Sequence, residues 1–203
     1  MNCYRLHFIR HGLTQGNKKG LYIGVTDLPL CNEGVGEIEK LKENFEYPKA
    51  SKVYTSPLKR CVSTAEILYP DRLIEKVENL KECNFGIFEG KSIAEIKNTP
   101  EFLVWIEGEG KTAPPQGESG AELTNRVIEA IDYILRDMMK MKIYDAAVVT
   151  HGGVIMTLFA ACGYPKASMN DWATDRGRGY TVNVDPRLWM TDNIFEITER
   201  IPY

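Results

Sequence analysis

The stretch that decides the fold is YRLHFIRHGLTQGN, which spans residues 4–17. Apolar side chains alternate with other residues up to Ile9, and this period of two predicts a half-buried strand. The pattern breaks at Arg10-His11-Gly12, and the short polar side chains Thr14 and Asn17 follow. In open α/β sheets, ligands bind outside the carboxyl ends of the strands. A guanidinium, an imidazole and hydrogen-bonding groups at such a strand end favour an anionic ligand.

A second stretch repeats this arrangement late in the chain. Residues 145–149 form a near-continuous apolar run, a pattern typical of a buried parallel strand. The run ends in Thr150-His151-Gly152-Gly153. His11 and His151 therefore each follow a predicted strand and precede a glycine, which lets backbone approach a ligand closely. We expect the two imidazoles to converge at one edge of the sheet.

Two arginines complete the predicted site. Ser56-Pro57 predicts a helix start, with Ser56 as cap and Pro57 in the first turn, and this places Arg60 in the same turn. Arg10 and Arg60 keep their charge and bind phosphate in a bidentate manner. The helix N-terminus adds a favourable dipole for an anion. Two arginines and two histidines thus predict a pocket for a dianion such as a phosphoryl group.

The remaining pattern predicts an α/β fold. Asn32 is expected to cap a helix, and the pairs Ser92/Glu95 and Ser119/Glu122 have the spacing of capping boxes. Strands alternate with helices along the chain, which favours a three-layer α/β/α sandwich, a mostly parallel sheet with helices on both faces. We expect a single domain over residues 1–203. An excursion at about residues 83–117 is expected to form a small cap over the C-terminal strand ends.

Composition excludes several classes of protein. The 203 residues carry a formal net charge of −3 and no long Lys/Arg run, so we expect no nucleic-acid partner. Neither a signal peptide nor an apolar run long enough for a membrane span is evident, so no membrane association is expected. Five scattered cysteines without a C-x-x-C pair indicate reduced thiols and a cytoplasmic location. With only three histidines, a structural metal site is not expected.

The motifs resemble a known family. Arg10-His11-Gly12-x-Thr14-x-x-Asn17 resembles the signature of the histidine phosphatase superfamily, which includes the phosphoglycerate mutases. Four further stretches resemble its other motifs, and all five follow the family order within residues 4–156: Ser56-Pro57-Leu58-x-Arg60, Glu82-x-x-Phe85-Gly86-x-x-Glu89-Gly90, Pro115-x-Gly117-Glu118-Ser119 and Thr150-His151-Gly152-Gly153.

The resemblance implies a covalent mechanism without metal or cofactor. His11 would attack phosphorus and become phosphohistidine, which splits one displacement into two easier ones. Its imidazole must be neutral, and flanking guanidinium groups disfavour its protonation. Glu82 would act as general acid and then as general base. The phosphoryl oxygens would be held by Arg10, Arg60, His151 and Asn17, with Thr14 either in contact with the phosphate or supporting it from behind.

Several alternatives stay open. Glu89 and Glu118 are carboxylates near Glu82 in sequence, and Glu118 is expected instead to pair with an arginine. Within the family, the short chain and the pairs Phe85-Gly86 and Glu89-Gly90 resemble phosphatases rather than phosphoglycerate mutases. Two other stretches are similar to α-ribazole phosphatases and to broad phosphatases of sugar phosphates: Tyr22-Ile23-Gly24-x-Thr26-Asp27-x-Pro29-Leu30 and Pro114-Pro115-x-Gly117-Glu118-Ser119. A third reading is an inactive phospho-ligand binding module. The oligomeric state, monomer or homodimer, and the roles of Arg176 and Arg178 are not fixed by sequence.

Overall fold

The computed structural model describes residues 3–108 and 112–203, so residues 109–111 of the expected cap lie outside the described chain. Within these described residues, seven strands form one sheet in the order β3-β2-β4-β1-β6-β7-β5. The strands are β1 Tyr4–Arg10, β2 Lys52–Thr55, β3 Ile74–Lys76, β4 Asp145–Thr150, β5 Gly163–Tyr164, β6 Gly179–Val184 and β7 Phe195–Ile201. The α-helices are α1 Gln15–Lys18, α2 Asn32–Asn44, α3 Lys59–Leu68, α4 Ile93–Ile96, α5 Pro100–Glu107, α6 Gly120–Met141, α7 Gly152–Cys162 and α8 Pro186–Asp192.

The register of the two central strands brings the predicted histidines together. β1 and β4 are parallel, and Arg10 pairs with Thr150 at their carboxyl ends. His11 and His151 therefore leave the sheet side by side. Parallel pairing also joins β2 to β4, β2 to β3 and β5 to β7, while β6 is antiparallel to β1 and β7. The prediction of a mostly parallel sheet is confirmed.

Apolar side chains cover both faces of the sheet. On one face, Phe8 and Val148 pack with the helix α6, whose buried stripe includes Ile131 and Ile134. On the other face, Ile9 and neighbouring residues of β2 and β4 pack with α2 and α3. Neighbouring residues of one strand, such as Phe8 and Ile9, contribute to different faces because successive side chains point to opposite sides of the sheet. The three-layer α/β/α arrangement is confirmed. Among the described residues, no helix has the length and apolar content required to cross a membrane.

A third, smaller cluster lies beside the carboxyl edge of β1 and β4. It is built from Phe88, Ile96 and Phe102, against which Tyr22, Phe85 and Trp105 pack. The aromatic rings meet edge to face, as between Tyr22 and Phe85 at 5.3 Å. This cluster holds the segment that covers the pocket described below.

Two of the four predicted caps are confirmed and two are wrong. Ser92 and Ser119 form capping boxes at α4 and α6. Ser56 does not cap α3, which begins at Lys59 with Leu58 as its N-cap. The Ser56 hydroxyl lies 2.8 Å from His151 Nε2 and accepts from the Leu58 N–H at 3.4 Å, one residue before the helix. Asn32 is the first residue of α2 rather than its cap; Cys31 takes the cap position and gives no side-chain hydrogen bond.

Candidate active site

A pocket of about 390 Å³ opens where β1 and β4 end. Four of the seven predicted site residues line it: Arg10, His11, Asn17 and Glu82. Its outer wall includes Tyr22, Phe85 and Ile93. The other predicted residues, Thr14, Arg60 and His151, are fully or almost fully buried. Polar and charged groups thus form the floor of the pocket, and apolar side chains form its mouth.

The environment of His11 fixes both its tautomer and its charge. Its Nδ1 lies 2.6 Å from the carbonyl oxygen of Gly12. A carbonyl only accepts, so Nδ1 carries the proton and Nε2 keeps its lone pair. Burial, followed by the charges of Arg60 and Arg10, lowers the pKa of His11 to about 3, against the opposing effect of the Gly12 bond. At neutral pH, His11 therefore presents an uncharged ring nitrogen with a free lone pair.

His151 lies directly behind His11. The two ring centroids are 5.1 Å apart and the rings are inclined at 65°. The Nε–H of Arg60 donates to His151 Nδ1 at 3.3 Å, so Nε2 carries the proton and donates to Ser56 Oγ at 2.8 Å. Burial is the main cause that holds the pKa of His151 well below its ordinary value, and the neighbouring His11 and Arg60 lower it in the same direction. His151 is therefore a neutral ring, locked in orientation by protein groups.

Arg60 occupies the same buried layer. Its Nη atoms donate to the carbonyl oxygens of Gly24 at 2.6 Å and Thr26 at 2.8 Å, in the loop that precedes α2. A guanidinium has five N–H groups. Within the described part of the chain, Arg60 uses three of them. Its charge acts on His11, and two N–H groups remain for an anion.

The two glycines after His151 leave room for two charged side chains. A Cβ at Gly152 would lie 3.2 Å from Nε and Cζ of Arg10, and a Cβ at Gly153 would lie 2.4 Å from Oε1 of Glu82. Arg10 also donates to the carbonyl oxygen of Thr174 at 2.6 Å. The glycine pair is thus the reason that a cation and a carboxylate both reach the pocket.

Glu82 has the properties of a proton donor. Its Oε2 accepts from the Gly153 N–H and its Oε1 from the Cys83 N–H, both at 3.0 Å. Burial raises the pKa of Glu82 above its ordinary value, although these hydrogen bonds and the charges of Arg60 and Arg10 oppose the shift. A raised carboxyl pKa keeps more of the acid protonated near neutral pH, as general acid catalysis requires.

Thr14 and Asn17 form a capping box on the short helix α1. Thr14 Oγ1 accepts from the Asn17 N–H, and Asn17 Oδ1 accepts from the Thr14 N–H. Because Oδ1 is used in this way, the Asn17 amide nitrogen is the end left for the pocket that Asn17 lines. Thr14 is fully buried and supports this loop from behind.

Glu89 and Glu118, the two alternatives to Glu82, both form hydrogen bonds with other protein groups. Glu89 accepts from the backbone N–H groups of Gly24, Val25, Thr26 and Phe85, at 3.0 to 3.2 Å. The predicted arginine partner of Glu118 is Arg126, which donates to both carboxylate oxygens, at 2.5 and 2.9 Å. Glu89 thus ties the Arg60 loop to the cap, which leaves Glu82 as the carboxylate in the pocket.

Three supporting residues were not identified from the sequence. Ser56 binds His151, Cys61 Sγ lies 3.4 Å from His151 Nε2, and Arg126 donates to the carbonyl oxygens of Asn79, Lys81 and Glu82. Ser56 was noted in its motif but assigned to a helix cap. Nothing in the local pattern of Cys61 or Arg126 distinguishes them from ordinary helical residues. In the described ranges, no three His, Cys, Asp or Glu side chains are grouped to hold a metal ion.

Comparison with known proteins agrees with this geometry. A family model of the histidine phosphatase superfamily (branch 1) matches residues 6–195. The chain is 27% identical over 189 residues to an adenosylcobalamin/alpha-ribazole phosphatase of Escherichia coli K12, covering 91% of this chain and 92% of that protein. It is 32% identical to a 2,3-bisphosphoglycerate-dependent phosphoglycerate mutase of Bifidobacterium longum, but over only 125 residues, 56% of this chain and 50% of the mutase.

Structural comparison shows the same fold. The crystal structure of the alpha-ribazole phosphatase from Shigella flexneri superimposes with a TM-score of 0.79 at 24% identity, covering 96% of this chain and 94% of that one. The family match extends over most of the chain, from strand β1 to strand β7, and includes every residue that lines the pocket. The chain belongs to the histidine phosphatase superfamily, branch 1.

Proposed function

We propose that the protein is a phosphoric monoester hydrolase that acts on a small phosphorylated metabolite through a phosphohistidine at His11. One observation carries the proposal: His11, held neutral and with its Nε2 lone pair unprotonated, lines the same pocket as Arg10 and Glu82. A nucleophile, an anion-binding cation and a buried acid at one strand edge are the groups that this reaction requires.

The first step transfers the phosphoryl group to the protein. The Nε2 lone pair of His11 forms a bond to phosphorus while the bond from phosphorus to the ester oxygen breaks. The leaving oxygen takes that electron pair and the proton of the Glu82 carboxyl group, and departs as an alcohol. Arg10 and the Asn17 amide hold the phosphoryl oxygens in the pocket. We assign Arg60 to the same oxygens through its positive charge and its two remaining N–H groups. His151, a neutral ring, is assigned to positioning Arg60 and His11 around those oxygens.

The second step returns the protein to its starting state. A water molecule attacks phosphorus, the N–P bond breaks, and its electron pair returns to His11. The Glu82 carboxylate takes a proton from the attacking water. The sum of the two steps is hydrolysis of one ester to an alcohol and inorganic phosphate.

We propose a small-molecule substrate, with α-ribazole 5′-phosphate as one member of the class to test. The relatives named above support this choice, as does the size of the pocket. Tyr22, Phe85 and Ile93 at the mouth would contact the alcohol part, which gives the cap at about residues 83–117 the role of selecting it. We further propose a cytoplasmic location, supported by five free cysteines, and a monomer or homodimer.

The test is a screen of phosphate release from purified protein. It includes α-ribazole 5′-phosphate, phosphoserine, sugar phosphates and phosphoglycerates, and the His11→Ala variant is run in parallel. We expect release from at least one ester by the native chain and none by the variant. Interconversion of 2- and 3-phosphoglycerate faster than their hydrolysis would instead establish a mutase. Binding without turnover by the native chain would establish a binding module.

A further inference from the structure

A second pocket lies at the same edge of the sheet, beside the candidate active site. In the register of the strands, Ile9 pairs with Gly179, and Gly179 pairs with Ile201. The start of β6 and the end of β7 therefore lie next to the end of β1. This second pocket has a volume of about 560 Å³. Arg10 lines both pockets. Its guanidinium contacts Thr174, which lines the second pocket, and lies beside Gly152, which lines the first.

The second pocket is strongly cationic. Arg10, Arg178 and Arg200 line it, against a single carboxylate, Asp175. Within the described residues, neither Arg178 nor Arg200 forms an ion pair with an acidic side chain. Arg178 instead lies over the ring of Phe45 at 4.9 Å, and Arg200 over the ring of Tyr180 at 5.8 Å. These aromatic contacts orient the guanidinium planes without neutralising their charge.

The loop that carries Arg178 is fixed to Arg10 by its backbone. The Gly177 N–H donates to the carbonyl oxygen of Arg10 at 2.8 Å, and the Arg10 N–H donates to that of Arg178 at 3.0 Å. Gly177 has φ of +70°, a conformation that a residue with a side chain rarely adopts. The Tyr47 hydroxyl donates to the Gly177 carbonyl oxygen at 2.6 Å. The backbone that carries Arg178 is therefore fixed against the end of β1.

Two buried arginine nitrogen atoms, at Arg10 and at its neighbour Arg176, are left without hydrogen-bond partners within the described ranges. The Nε atoms of Arg10 and Arg176 are buried and have no hydrogen-bond partner in the described part of the chain. After burial, the charge of Arg176 is the next cause that lowers the pKa of Arg10. Several like charges held close together repel one another. A cleft lined by one sign of charge focuses its field on a ligand of the opposite sign.

We propose that the second pocket binds a second anionic group, a carboxylate or another phosphate, of the same molecule whose phosphoryl group lies at His11. The inference rests on the proposed function and narrows its substrate class to phosphomonoesters with two separated anionic groups. It therefore disfavours α-ribazole 5′-phosphate, whose phosphate is its only anionic group, within the class proposed above. Arg178 and Arg200 are the specificity-determining residues for that second group, and Arg10 contacts both groups.

The test measures binding apart from turnover. Calorimetry on the His11→Ala protein compares 3-phosphoglycerate with glycerol 3-phosphate, which lacks the carboxylate, and fructose 1,6-bisphosphate with fructose 6-phosphate, which lacks the second phosphate. We expect at least tenfold tighter binding of the doubly anionic member of one pair, which identifies the second group. Adding Arg178→Gln and Arg200→Gln should reduce that preference to less than threefold and change glycerol 3-phosphate binding less than twofold.

A matched control separates a local contact from a change in net charge. Arg136→Gln with Arg187→Gln removes the same charge from two exposed positions and should leave the preference intact. Equal binding within both pairs, or an equal loss for all four esters in the Arg178/Arg200 variant, would overturn the proposal. Because binding is measured without catalysis, absence of hydrolysis by the native chain would refute the proposed function without affecting this result.

Discussion

The Nδ1 atom of His11 lies 2.6 Å from the carbonyl oxygen of Gly12, its neighbour in the chain. This contact leaves Nε2 as the unprotonated ring nitrogen. The same backbone turn is fixed from the other side, because the Gly12 N–H donates to Thr64 Oγ1 at 3.0 Å. A Cβ at Gly12 would also lie 2.9 Å from Cγ1 of Ile38. The His11 ring is thus oriented by backbone that has little freedom to move.

Replacement of Glu82 should affect esters according to their leaving groups. We expect Glu82→Gln to lower kcat/KM for an alkyl phosphate by about 10² to 10⁴, the usual contribution of a general acid. p-Nitrophenyl phosphate, whose leaving group needs no proton, should lose much less. Glu101→Gln, which changes an exposed carboxylate on α5, is the control and should change neither value. Equal losses for both esters would show that Glu82 does not protonate the leaving group.

The pH dependence follows from the same carboxyl group. Transfer to His11 needs Glu82 protonated and His11 neutral. Since burial raises the pKa of Glu82, kcat/KM for an alkyl ester should fall as pH rises through that pKa. Protonation of His11 should limit the rate only near pH 3, because its pKa is lowered to about 3. The Glu82→Gln variant should lack the decline at high pH, and a profile identical to that of the native chain would contradict the assignment.

Gly153 should be intolerant of even a small side chain. A Cβ there would lie 2.4 Å from Glu82 Oε1, so we expect Gly153→Ala to displace the carboxylate and lower kcat for alkyl esters about 10- to 100-fold. The control is Gly36→Ala within α2, where no heavy atom lies within 4 Å of the added Cβ. That variant should keep full activity and gain about 0.5–1 kcal/mol of stability. Full activity of Gly153→Ala would refute the close packing.

Acidification should destabilise the fold through its buried histidines. Burial lowers the pKa of His7 to about 4, against 6.5 in the unfolded chain. The unfolded state therefore binds more protons between these values, and stability falls as pH decreases from about 6.5 toward 4. At pH 5 the cost is about 2 kcal/mol for His7 alone. His11 and His151 shift in the same direction.

His7 offers a variant outside the active site that isolates this effect. Its Nδ1 lies 3.0 Å from Thr181 Oγ1, and His7→Asn keeps a hydrogen-bonding group near that position. We expect the difference in unfolding free energy between pH 7 and pH 5, measured with urea, to shrink by about 2 kcal/mol in the variant. Phosphatase activity at pH 7 should be retained. An unchanged difference would mean that His7 does not titrate on unfolding.

Much of the fold and part of the site could be predicted from the sequence. The period of apolar residues and the residues that cap helices are local signals. They predicted the strands β1 and β4, the capping boxes at Ser92 and Ser119, and the convergence of His11 with His151. The role of Ser56 did not, because its partner His151 is 95 residues away in the chain. A local cap pattern carries no information on such a competing contact.

The sequence also did not predict how deeply each site residue is buried. Arg10 and Arg60 are equivalent as residue types, but Arg10 lines the pocket while Arg60 is buried and held by the carbonyl oxygens of Gly24 and Thr26. Likewise, Arg178 and Arg200 come together only because β6 and β7 are antiparallel. How deeply a side chain is buried, and which strands pair in antiparallel fashion, depend on the packing of the whole sheet rather than on the local sequence pattern.

The most direct test of the account is to trap the phosphorylated protein. A phosphomonoester that the native chain hydrolyses, carrying a radioactive phosphoryl group, is mixed with the protein and quenched in alkali within the first turnover, and the labelled peptide is sequenced. We expect an acid-labile, alkali-stable phosphoryl group on His11, and none in His11→Ala. Phosphate release with no labelled intermediate, or label on any other residue, would contradict the central claim.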